Sequence, residues 1–244
     1  MTYCVGLRID RGLVFMSDTR TNGGIDSIST FRKMHIWEKP GERVIVMMSA
    51  GNLATTQAVV SLLDERSKAV RDRKPSLLRT PSMYQTARLV GNTVREVIAD
   101  SAESGQKAES FYASFILGGQ IAGSEPRLFM IYPEGNFIES TEDTPFFQIG
   151  ETKYGKPIIV RAYDPEMSFE ETAKLLMVSF DSTLKSNLSV GLPLDMTFYE
   201  RDSLKVGLKK RISANDPYYR KISEGWSNAL KTAFASLPDF TSDA

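Results

Sequence analysis

Cysteine and histidine are nearly missing from this chain: its 244 residues include one of each, Cys4 and His35. A lone cysteine excludes an internal disulfide and a cysteine-based metal cluster. A lone histidine excludes multi-histidine metal sites and leaves a Ser-His-Asp machine a single candidate base. Net charge is missing too, with 30 Lys+Arg against 30 Asp+Glu. Generic binding to nucleic acid or an anionic membrane therefore has no electrostatic drive. Long apolar runs are absent, since stretches such as Val44 to Met48 are far too short to cross a bilayer. The opening MTYCVGLRID has neither the basic nor the apolar region of a signal peptide. These absences lead us to expect a soluble cytoplasmic protein with no nucleic-acid or membrane partner and no metal.

What is present is ordinary globular material, 41% hydrophobic and 25% charged. Thr2 to Ile9 alternates with period two, Val5, Leu7 and Ile9 on one face and Thr2, Cys4, Gly6 and Arg8 on the other, Asp10-Arg11-Gly12 signals a turn, and Leu13 to Met16 starts a second run, so a hairpin is expected. With the turn centred on Arg11, partners have numbers summing to about 22. That register sets Leu7 against Phe15, Cys4 against Asp18 and Thr2 against Arg20. Lys33 to Trp37 and Arg43 to Ser49 read as further strands of one opening meander. Helical spacing follows from Ala54 to about Val70 and again from Tyr84 to Val97, separated by a basic connection from Arg71 to Pro81. Ser101 to Lys107 reads as an exposed loop.

Strands return at Phe111 to Leu117, Arg127 to Tyr132, Phe137-Ile138 and Phe146 to Gly150. Two helices follow, Tyr154 to Tyr163 and Ser168 to about Ser186. Ser168 with Glu171 makes a capping box at the start of the second. Pro193 to Tyr199 reads as strand and Pro217 to Leu237 as mostly helix. The order implies an α+β fold, a four-layer αββα sandwich of two antiparallel sheets with helix pairs outside. With no linker to split it, the chain is expected to be one domain over residues 1–244.

Thr2 is the most informative residue for chemistry. Removal of Met1 would give it a free α-amine, with a reference pKa of about 7.7–8.0, beside its own hydroxyl. Such an amine can act as base for that hydroxyl without any histidine. A nearby ammonium would lower the amine's pKa; Lys33 is the candidate, with Asp18 to hold it. At Ser49-Ala50-Gly51 a strand stops and a helix begins, and a glycine backbone N–H there can serve an oxyanion. His35 reads as a half-buried structural residue, and Cys4 as a small residue lining the cleft or a second nucleophile. Lys205 to Arg211 reads as a solvated face or subunit contact. Gly118-Gly119 and Gly123 match no phosphate-binding fingerprint.

Thr2, Ser17-Asp18-Thr19-Arg20, Lys33 and the Ser-Ala-Gly-helix step together resemble the β-type subunits of proteasome-like N-terminal-nucleophile hydrolases. Phe115 to Phe137 is similar to the central strand pair of that family, and the resemblance extends to about Tyr199. FRKMHIWE, SAGNLATTQA and QIGETKYGKPII resemble the bacterial Anbu (ancestral beta subunit) branch. The resemblance implies Thr2 as nucleophile, Asp18 and Lys33 as its flanking acid and base, and Gly51 as oxyanion donor. It implies a peptide or protein substrate, no cofactor, and a homo-oligomer forming rings or split, helical rings. It leaves open whether an ATPase partner takes part.

Departures from the family pattern accompany it. Lys33 lies one residue nearer the threonine than usual, which calls for a deletion between Arg20 and Lys33. Glu151 stands where the family has a serine. The segment holding Ser186, Asn187 and Ser189 lacks the family's supporting aspartate. Arg20, Glu151, Ser186, Asn187 and Ser189 are candidate supporting residues. No propeptide is expected. A non-catalytic structural subunit and a peptide-binding module remain alternatives to a threonine amide hydrolase.

Overall fold

A two-residue turn, Asp10-Arg11, closes the first hairpin in the computed structural model, which describes residues 2–22, 28–68, 75–102 and 107–241. Its strands are β1 (Tyr3–Ile9) and β2 (Gly12–Asp18), with Cys4 opposite Ser17, Gly6 opposite Phe15 and Ile9 opposite Gly12. Paired numbers sum to 21, so the expected register is wrong by one residue. The reason is physical. All seven residues of β2 are buried, so both of its faces are apolar and alternation cannot choose between registers. Tyr3, Val5, Leu7, Val14 and Met16 pack toward helices, while Cys4, Leu13 and Phe15 pack toward the opposite sheet.

A short ribbon follows, β3 (Arg20–Asn22) with β4 (Ile28–Thr30); residues 23–27, where part of the expected deletion would fall, lie outside the described residues. Next come β5 (Met34–Lys39), β6 (Arg43–Gly51), α1 (Leu53–Lys68), α2 (Met83–Ala102), a 3₁₀ turn at Ala108–Phe111, β7 (Ala113–Ile121), β8 (Arg127–Ile131) and β9 (Phe137–Glu139). The chain closes with β10 (Phe146–Gly150), α3 (Lys156–Ala162), α4 (Phe169–Ser186), β11 (Leu194–Glu200), β12 (Lys209–Ile212) and α5 (Pro217–Ala235). One sheet runs β10-β1-β2-β11-β12 and the other β5-β6-β7-β8-β9. The expected opening meander does not exist, because the first two hairpins belong to different sheets.

Val70 and residues 71–74 of the expected basic connection lie outside the described residues, as do 103–106. Ser101 and Ala102 belong to α2 rather than to a loop. The basic stretch before Ile212 is partly an edge strand, on which Arg211 pairs with Asp195 through two nitrogens at 2.8 and 3.0 Å. Lysine on an exposed edge opposes further strand addition.

Three apolar cores make this a four-layer sandwich. Ile45, Met47, Phe115 and Phe129 meet Val59, Leu63, Val90 and Val94 of α1 and α2. Val5, Leu7, Val14 and Met16 meet Ile159, Leu176 and Phe180 of α3 and α4. Between the sheets lie Phe15, Met48, Ile116, Leu128, Phe147 and Ile149. Gly118 permits that closeness: a Cβ there would stand 2.7 Å from the Phe15 ring. The capping box forms, with Ser168 Oγ accepting from Glu171 N and Glu171 accepting from Ser168 N. Among the described residues no helix is long and apolar enough to cross a membrane.

Candidate active site

The ends of β1, β2, β5 and β6 converge on one opening because the two sheets face each other there. Asp18, the last residue of β2, is fully buried and accepts four hydrogen bonds. Its Oδ1 receives Tyr3 N at 3.0 Å and Lys33 Nζ at 2.6 Å. Its Oδ2 receives Arg20 N at 3.2 Å and Gly191 N at 3.3 Å. Burial pushes the Asp18 carboxyl up from its ordinary value, against the downward pull of Lys33 and the Tyr3 and Gly191 N–H groups. Lys33, just ahead of β5 and also buried, gives a second hydrogen bond to the Arg20 carbonyl at 2.6 Å. The true register explains the cluster: it puts Asp18 beside the backbone of Tyr3, one residue from Thr2.

Thr2, Lys33 and Gly51 line a single cavity of about 780 Å³. Gly51 is the last residue of β6 and α1 begins at Leu53, the strand-to-helix step expected at Ser49-Ala50-Gly51. Asn52 is the residue that caps α1, accepting Thr55 N at 3.1 Å. In the ladder, Ser49 N points to Lys33 O on the β5 side and Asn52 N to Tyr112 O on the β7 side. Strand alternation therefore turns Gly51 N–H to the β5 side, where β5 itself begins only at Met34. Only glycine suits this position, since φ is +118° and a Cβ would lie 2.4 Å from the Tyr112 carbonyl oxygen.

The candidate supporting residues divide. Arg20 serves the cluster through its backbone, while its guanidinium reaches the Leu188 carbonyl at 2.8 Å. Glu151 is buried; its N–H donates to the Thr2 carbonyl at 2.6 Å and its carboxylate accepts from Asn187 Nδ2 at 2.9 Å. Ser189 contributes its N–H to Asn187 Oδ1 at 2.9 Å. Ser186 does not join them: its exposed hydroxyl donates to Ser182 O at 2.8 Å, because the last turn of α4 points it away.

Cys4 is wholly buried, its Sγ donates to Ser49 O, and burial pushes its thiol far up, so a second nucleophile finds no support. His35 is half-buried against Trp37 yet lines the cavity, with burial lowering its pKa despite the nearby Asp64. Sequence reasoning missed Thr21, Phe31, Arg32 and Gln57 as cavity residues. No local signal marks them, since they come from the ribbon, the approach to β5 and α1. Among the described residues no group of three or more His, Cys, Asp or Glu side chains could hold a metal ion.

Two facing antiparallel sheets between helix layers, with a threonine at the start of the first strand beside a buried lysine–aspartate pair, define the N-terminal-nucleophile type of αββα sandwich. The comparisons take this to a family. The Proteasome subunit family matches residues 2–191, and the chain belongs to it. Among its relatives, proteasome subunit beta 2 of Pyrobaculum calidifontis is 25% identical over 203 residues, covering 82% of this chain and 90% of the relative. Anbu (ancestral beta-subunit) from Yersinia bercovieri is 50% identical with a TM-score of 0.92, covering 98% of this chain and 100% of that one. The helical assembly of the Anbu complex from Pseudomonas aeruginosa is 47% identical with a TM-score of 0.92, covering 99% of both chains. This chain is thus a proteasome-fold, β-subunit-like protein similar to the Anbu proteins.

Proposed function

We propose that the chain is a threonine-type amide hydrolase that acts on peptide bonds inside a self-associated particle. The observation that carries this reading is the buried Lys33–Asp18 pair, 2.6 Å apart, at the cavity that Thr2 and Gly51 also line. With Met1 removed, the Thr2 amine takes the proton from Thr2 Oγ as the oxygen attacks an amide carbonyl. Lys33 lowers the amine's pKa so that it is neutral near physiological pH, and Asp18 fixes Lys33. Gly51 N–H stabilises the developing oxyanion, a role worth about 3–4 kcal/mol of barrier in other acyl-transfer enzymes. The amine returns the proton to the leaving nitrogen, and water then cleaves the ester to free Thr2.

Self-association is part of the proposal. Past the buried Tyr219, α5 and the chain after it expose Leu230, Phe234, Leu237 and Phe240, with Phe234 79% and Phe240 93% accessible. An apolar run of that kind calls for cover. One domain, a peptide or protein substrate, no cofactor and a cytoplasmic setting complete the reading.

The test uses purified protein whose intact mass shows loss of Met1. An electrophilic peptide is expected to modify Thr2 covalently, and Thr2→Ala is expected to abolish the modification. Retained Met1 in the cellular protein, or equal labelling of Thr2→Ala, overturns the proposal. A sedimenting particle that never labels would instead identify a structural subunit.

A further inference from the structure

Glu151 and Asn187 lie 36 positions apart and belong to no repeated motif, yet they make a closed set of hydrogen bonds beside the nucleophile. Glu151 follows β10, and its N–H donates to the carbonyl of Thr2 at 2.6 Å. One carboxylate oxygen accepts Lys153 N at 3.0 Å and the other accepts Asn187 Nδ2 at 2.9 Å. Asn187 terminates α4, and its Oδ1 accepts Ser189 N at 2.9 Å while its own carbonyl accepts Val190 N at 3.1 Å. These two side-chain bonds set the amide's orientation, nitrogen toward Glu151 and oxygen toward Ser189. The tight turn so formed offers the Leu188 carbonyl to Arg20 and delivers Gly191 N–H to Asp18. The Gly191 backbone lies hard against the Arg20 guanidinium, since a Cβ there would stand 2.2 Å from Arg20 Nε.

We infer that Glu151 and Asn187 are a positioning pair: a strut that fixes the residue carrying the nucleophile relative to the turn that fixes Asp18, and through Asp18, Lys33. Neither side chain acts on substrate. Glu151 grips Thr2 by its backbone and Asn187 by its side chain; Asn187 organises the turn whose Leu188 carbonyl accepts from Arg20 and whose Gly191 N–H donates to Asp18. A mutual displacement of about 1 Å at the reacting groups of an enzyme can cost about a hundredfold in rate. A strut of this kind is therefore worth having where the chain start would otherwise be tethered only through strand β1. The inference rests on the proposed threonine chemistry for its kinetic consequence, but not for its structural one.

The polarity of the set suggests the experiment. In Glu151→Gln, the introduced amide nitrogen meets Asn187 Nδ2, donor against donor. In Asn187→Asp, two carboxylates face each other. The double variant Glu151→Gln/Asn187→Asp reverses the bond: the amide introduced at position 151 accepts from Lys153 N and donates to the carboxylate introduced at position 187, which still accepts from Ser189 N. Two readouts are followed in the assembled, Met-trimmed protein: the rate of Thr2 labelling by the electrophilic peptide and the amide hydrogen exchange of residues 188–192. Each single change is expected to slow labelling by about tenfold to a hundredfold and to speed exchange across the turn. The double variant is expected to return both toward the parent.

Single changes that leave turn exchange unaltered overturn the strut, as does a double variant as impaired as either single one. If exchange is restored but labelling is not, a carboxylate at position 151 itself is needed and the positioning role is wrong. If the parent never labels, the hydrolase reading falls, and the exchange cycle alone still decides the strut.

Discussion

Replacing Lys33 by methionine keeps most of the aliphatic stem and deletes the ammonium, leaving Asp18 with no cationic partner. The side chains of this pair are 7% and 0% accessible, so water cannot take over the role of Lys33. Breaking one side of a buried ion pair costs about 3–5 kcal/mol. Here the N–H groups of Tyr3, Arg20 and Gly191 remain on the carboxylate, which places the expected loss near the lower bound, about 3 kcal/mol. In urea, with a slope of about 1–3 kcal/mol per molar, that is a fall in midpoint of about 1 M or more.

The sign with pH follows from the same groups. Burial already raises the Asp18 carboxyl, and removing Lys33 raises it further above the unfolded value of about 3.9. The folded variant then holds a proton that the unfolded chain has released. Its stability therefore falls as pH rises from about 4 through the folded pKa and recovers on acidification. The loss should be greater at pH 7.5 than at pH 5. Adding Asp18→Asn removes the stranded charge but sets the new amide nitrogen against a backbone N–H, since both carboxylate oxygens accept such groups, so it should restore only part of the midpoint, while Thr2 labelling stays absent because the ammonium is still missing. Urea midpoints of the parent, single and double variants at both pH values are the assay. A single variant that loses under 1 kcal/mol, or a double variant no more stable than the single, would refute the argument.

Gly51→Ala should be destabilised by about 2–4 kcal/mol, from the glycine-only backbone and the contact with the Tyr112 carbonyl. A thermal midpoint unchanged within error would count against the geometry of β6. His35 should give a measurable acid sensitivity. Burial lowers its folded pKa below the ordinary 6.5, so the unfolded chain takes up the proton first and stability falls as pH drops below about 6.5. His35→Gln should flatten that part of the stability curve between pH 7 and 5, and an unchanged slope would assign the sensitivity to other groups.

Much of the architecture was legible in the residues themselves. The period-two run from Thr2 to Ile9, the apolar runs read as strands at Arg43 to Ser49 and Phe146 to Gly150, and the Ser168–Glu171 box are local patterns that name local structure, and each lies where expected. The short ribbon and the edge strand at Lys209–Ile212 went unread because they are both short and mostly polar, Arg20-Thr21-Asn22, Ile28-Ser29-Thr30 and Lys209-Lys210-Arg211-Ile212, whereas the equally short β9 carries the apolar pair Phe137-Ile138. Register in the opening hairpin was beyond reach for a different reason. Composition alone tells which residues leave water, but β2 is apolar on both faces and so contains no preference for one pairing over its neighbour.

Thr2, Asp18, Lys33 and Gly51 could be nominated from residue type and family pattern, because each carries its chemistry wherever it lies. Their meeting was implied by the family resemblance and is written in no local pattern. Asp18 and Lys33 are brought together by the stacking of two sheets, and the link from Glu151 to Asn187 spans β10 and the end of α4. Side-chain identity is written one residue at a time, whereas a hydrogen bond between distant elements exists only once the layers have packed and set the distance.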